Sequence, residues 1–132
     1  MVLSNSPYLR ITAKVIATIA MGFGINALLR PDNALTVFEW EAPTSPTAKK
    51  LVHNLVFLYG VRDIFMGSAI YITAHFGDRK TLGLTLIAAS GVVFADGLIC
   101  WNQGGGEWNH WSFVPMMVAN GSLLLGVLDR AE

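Results

Sequence analysis

The chain has 132 residues, 53% of them hydrophobic and 14% charged, with a formal net charge of zero. That is one domain by length, with far fewer charges than the roughly one quarter usual in soluble domains. No basic run could track a phosphate backbone, so nucleic acid is not an expected partner, and the lone Cys100 excludes a disulfide scaffold.

The first apolar run, residues 11–29 (ITAKVIATIAMGFGINALL), is too long for the core of a signal peptide and lacks a convincing small-residue cleavage signature. It reads as an uncleaved helix. A connection over residues 30–48 follows, broken by Pro31, Pro43 and Pro46, with Phe38 and Trp40 as expected interface anchors. The second run covers residues 51–73, the third residues 81–99 and the fourth residues 111–128. Each run has 18 to 23 residues, close to the ~20 a helix needs to cross a bilayer, and none shows a polar face at helical spacing. The expected fold is all-α: an integral membrane four-helix bundle forming a single domain over residues 1–132. Gly22, Gly24, Gly60, Gly67, Gly91 and Gly97 are expected to let helices approach closely in lipid.

Between the third and fourth runs lies WNQGGGEWNHW, residues 101–111. It reads either as an aromatic belt around a flexible turn or as a lid hinged on Gly104, Gly105 and Gly106. Arg10, Lys14, Arg79, Lys80 and Arg130 fall on one membrane face, against Arg30, Lys49 and Lys50 on the other. The positive-inside rule then puts both termini in the cytosol, with the endoplasmic reticulum as the expected membrane and Lys14 snorkelling to the headgroups.

Arg62, Asp63 and Asp96 interrupt the apolar runs. If all three faced lipid they would cost roughly 8–10 kcal/mol, so they must turn inward and pair. Tyr59 stands one helical turn from Arg62 and Asp63. Asn54, Asn26, Asn102, His110 and Trp101 fall in the same half of the membrane and complete, with Tyr59, a candidate substrate- or water-binding set. For His53 and His110 by themselves, interfacial hydrogen bonding outweighs catalysis. In a dry pocket one carboxyl stays protonated while a cation keeps the other ionised, which suits acid–base opening of a strained ring. Arg62 would orient Asp63 and Asp96, the candidate catalytic residues. An Asp–Arg–Asp set of this kind is known from limonene epoxide hydrolase, a soluble and unrelated fold, so the parallel is one of chemistry alone.

The stretches YGVRDIFMG (residues 59–67) and FADG (residues 94–97) resemble a poorly characterised family of small fungal four-helix membrane proteins. The resemblance runs from Gly22 to the third connection. It implies an epoxide hydrolase or cyclase in polyketide or terpenoid biosynthesis, with Arg62 and Asp63 matching one motif and Asp96 the other. The implied partners are a hydrophobic small-molecule substrate and the lipid bilayer; self-association into a homo-oligomer is left open. There is no GxSxG, HExxH or Walker loop and no metal-ligand spacing, so no cofactor or metal is expected. Two other classes remain: an assembly subunit in which the same residues form a buried clasp, and a small carrier. Missing inverted repeats count against the carrier.

Overall fold

A computed structural model describes residues 2–129. Arg130, one of the basic residues in the orientation argument, lies outside the described residues. The elements in order are α1 (Pro7–Leu29), α2 (Pro31–Leu35), α3 (Pro46–Phe76), α4 (Arg79–Gln103), α5 (Trp108–Trp111) and α6 (Val114–Leu125). No strand occurs among the described residues, and the fold is an all-α bundle. The helix starts are written locally. α1, α2 and α3 each begin on a proline, whose fixed φ and missing N–H suit the first turn. α4 begins after Asp78, whose carboxylate accepts the Thr81 N–H at 2.8 Å.

α1, α3 and α4 are long and apolar enough to cross a membrane. The expected fourth span is not a single helix. Pro115 has no N–H to give, the helix restarts at Val114, and α6 has only 12 residues, about 18 Å. Ser112 and Phe113 keep right-handed helical backbone between α5 and α6, so the segment is interrupted rather than unravelled.

The helices pack as two close pairs, α1 with α3 and α4 with α6, joined by thinner seams. In the first pair a Cβ on Gly24 would lie 2.6 Å from the Gly60 carbonyl oxygen, and one on Gly67 would lie 2.7 Å from that of Ala17. Gly83 and Gly121 do the same for the second pair, a contact the sequence reading did not pick out. Gly97 receives the Trp111 indole. Gly22 and Gly91 correct the expectation: among the described residues nothing lies within 4 Å of a Cβ placed there.

The main apolar core joins both pairs through Ala13, Ile16, Ile70, Leu82, Leu86, Met117 and Leu124. It fills the half of the bundle nearer the α3–α4 turn. At that end Ser4 donates to Asp129, Arg10 donates to the carbonyls of Ala74 and Gly77, and Arg79 donates to that of Leu124. Both ends of the described chain therefore meet beside the turn. The polar residues are left to the other half.

Candidate functional site

Arg62 and Asp63 lie beside the midpoint of the 31-residue α3. Asp63 precedes Gly77 by 14 residues and Asp96 follows Asp78 by 18, an axial offset of about 6 Å that one arginine side chain spans. Arg62 donates from Nη1 and Nη2 to the two oxygens of Asp96, at 2.8 and 2.7 Å. Its Nη2 and Nε also donate to Asp63 Oδ1, at 3.0 and 3.3 Å. Two-pronged pairing of this kind is the strong form of the Arg–carboxylate bond, and it fixes all three side chains. Asp63 and Asp96 are 4% and 7% exposed. Tyr59 supports the cluster from one turn away, its ring centroid 4.6 Å from the Arg62 guanidinium carbon.

Asp63 and Asp96 line one cavity in the seam between the helix pairs, together with Tyr59, Asn109 and His110 at its polar end and Ile16, Ile70 and Met117 at its apolar end. The two connections at this end of the bundle close over it. Phe38 is buried rather than an interface anchor, with ring centroids 5.1 Å from Tyr59 and 4.8 Å from His110. Asn109 Nδ2 donates to the Val37 carbonyl at 2.9 Å, tying one connection to the other. Gly106, at φ 91°, passes so close to Phe38 that a Cβ would lie 2.7 Å from its carbonyl oxygen. The triple glycine is thus partly a packing site.

His110 is 5% exposed, and its Nε2 has no hydrogen-bond partner among the described residues. Burial pushes its pKa below the ordinary value of 6.5, so the ring is neutral at pH 7. A buried ring nitrogen left unpaired costs roughly 1–3 kcal/mol; among the described residues the other buried side-chain atom without a partner is Asn120 Oδ1.

The structure therefore brings Arg62, Asp63, Asp96, Tyr59 and His110 together. It leaves out four other residues of the candidate set. The inward face of α3 carries Val56, Gly60 and Asp63; Asn54, two residues off that register, is exposed. Trp101 and Asn102 follow the buried Cys100 on α4, which continues unbroken to Gln103, and helical phase turns both outward. Asn26 is half-buried away from the cavity, its carbonyl accepting the Arg30 N–H at the end of α1. His53 pairs with Asp32 at 2.7 Å. Asn109 and Phe38 were not singled out for the site, because only the meeting of two distant connections places them there.

Residues 17–124 match a domain of unknown function (DUF4267), a span that includes every residue of the cluster and its cap. No curated protein and no solved structure matches the chain.

Proposed function

The chain belongs to the family defined by DUF4267, and from that premise we propose that it is a membrane-embedded epoxide hydrolase or epoxide-opening cyclase. The observation that carries the reading is the sharing of one guanidinium by two buried carboxyls that line one cavity. Two carboxylates and one arginine leave a surplus negative charge, and a proton on one carboxyl removes it. That carboxyl protonates the epoxide oxygen as the C–O bond breaks. The other takes a proton from water or from a hydroxyl of the substrate as the new C–O bond forms. The product is a diol or a cyclic ether. The carboxyls have then exchanged protonation states, and a proton returning between them resets the site.

The substrate in this reading is a hydrophobic natural-product intermediate of the polyketide or terpenoid kind, as the fungal family resemblance implies. The chain would lie in the endoplasmic reticulum with both termini cytosolic, a reading supported by Ser4 and Asp129 meeting at one end of the bundle. Purified protein should convert a hydrophobic epoxide in ¹⁸O-labelled water, and one labelled oxygen in a diol marks hydrolysis while an unlabelled ether marks cyclisation. Failure to open any of a panel of terpenoid and polyketide epoxides would contradict the assignment. A second reading, the clasp of an assembly subunit, is favoured by one observation: the Arg62–Asp96 pair straps α3 to α4 where the two otherwise pack thinly.

A further inference from the structure

Two spaces flank the Arg62 cluster, and they differ in size and lining. The inner cavity, with Asp63, Asp96 and His110 in its wall, measures about 50 Å³. A groove on the outer face between α3 and α4 measures about 300 Å³ and is walled by Phe65, Ala69, Ala88 and Val92. A water needs ~10–15 Å³ of such space, so the cavity has room for about three to five waters. An organic ligand needs roughly 300 Å³ or more, which the groove offers and the cavity does not.

The wall between them is thin. Met66 lines both spaces, and Arg62, whose side chain is 38% exposed, lines the groove while its partners Asp63 and Asp96 line the cavity. Met66 is unbranched and flexible, the side chain best able to swing aside. The groove faces outward between two helices long and apolar enough to cross a membrane, and with both helices in a bilayer its mouth would meet acyl chains. The cavity is polar where Asp63, Asp96, Asn109 and His110 meet, and the unpartnered His110 Nε2 calls for a hydrogen-bonding occupant there.

We propose that the two spaces divide the reactants: the apolar body of the substrate enters sideways from the bilayer and lies in the α3–α4 groove, while the cavity holds water on His110. The epoxide reaches Asp63 and Asp96 past Met66. The identity of the reacting group rests on the epoxide-opening reading, and the seat of the apolar body deepens it. Small side chains at Ala69 and Ala88 give the groove its width.

The test uses a hexadecyl epoxide carrying a diazirine in its chain, photolysed with the full-length protein in phosphatidylcholine nanodiscs. Mass spectrometry of the labelled protein is expected to find adducts on Phe65, Ala69, Ala88 or Val92. Ala88→Trp, which fills the groove from an exposed position, is expected to lower labelling about tenfold, the effect of losing one or two buried methylenes. Val92→Phe should repeat the loss, and unchanged thermal unfolding of either variant keeps the result readable. Adducts on Ile19, Phe23 and Phe113, at the cavity side, would overturn the proposal. So would equal labelling by the same chain without its epoxide, which would make the groove an ordinary lipid contact. The groove and the chemistry fail separately: Asp63→Asn is expected to keep the same adducts, whereas persistent product formation by that variant strikes the epoxide reading alone.

Discussion

α3 is held in two different ways on its two sides. Toward α1 it is held by backbone contact, with Gly60 against Gly24 and Gly67 against Ala17, so close that no further atom fits. Toward α4 it is held by the apolar core around Ile70, Leu82 and Leu86 near the turn and by Arg62 reaching Asp96 in the other half, where an open groove lies outside and a polar cavity within. In lipid there is no hydrophobic drive between helices, so close packing of small residues must supply the cohesion of a pair. A seam strapped by charge needs few contacts and leaves room. The difference suggests that the pairs provide the scaffold and the seam provides the site.

The comparison breaks first at Arg62. Arg62→Met removes the shared partner of two buried carboxylates, with an expected loss of about 3–5 kcal/mol, read as a large fall in thermal stability in detergent. Stability close to the wild type would mean that the seam does not depend on the ion pairs. Next comes the glycine side. Gly60→Val drives a side chain into the Gly24 backbone and is expected to cost up to about 3 kcal/mol, whereas Gly91→Val, with open space around it, should leave unfolding unchanged. Equal effects at both positions would erase the distinction between packed and open glycines.

A smaller effect is expected at His110. Its folded pKa is depressed by burial, so the unfolded chain binds the proton first as pH drops. The stability tied to a neutral ring is complete above its unfolded pKa of 6.5 and declines as pH falls from there toward the folded value. His110→Phe should flatten the unfolding temperature across that window, and an unchanged slope would place the titrating group elsewhere. The smallest effect belongs to Asp129, whose carboxyl is held below its usual range by hydrogen bonds from Ser4. Its contribution is present above pH 3.8 and is lost as pH falls through the lowered pKa, so Asp129→Asn should lower stability slightly at neutral pH and converge with the wild type in acid. A difference that persists undiminished in strong acid would show that the carboxylate charge is not what ties Ser4 to this end of the bundle.

The two sides also differed in how far the sequence revealed them. Hydropathy found three spans because lipid demands long apolar runs, but it trimmed α3. The turn holding Lys49 and Lys50 is helical without being apolar, and Pro46, not the first leucine, marks the start. The fourth span failed at Pro115, which counts as apolar yet interrupts the hydrogen-bond ladder. Arg62, Asp63 and Asp96 were legible because three unpaired charges in a membrane are too costly to leave apart. Asn54, Trp101 and Asn102 shared their depth but not their helical phase. The cap was not legible, since Phe38 and His110 are 72 residues apart and meet only through tertiary contact. Nor did composition separate the glycines in contact from Gly22 and Gly91.

The central claim is that Asp63 and Asp96 act as acid and base rather than only as a clasp. Its most direct test measures epoxide opening and thermal unfolding on the same preparations of Asp63→Asn and Asp96→Asn. Asparagine keeps the shape and much of the hydrogen bonding but can neither donate a carboxyl proton nor accept one as a base. Turnover is expected to fall by roughly 10²–10⁴ in each variant while the protein stays folded. Folded variants that open the epoxide at the wild-type rate would contradict it.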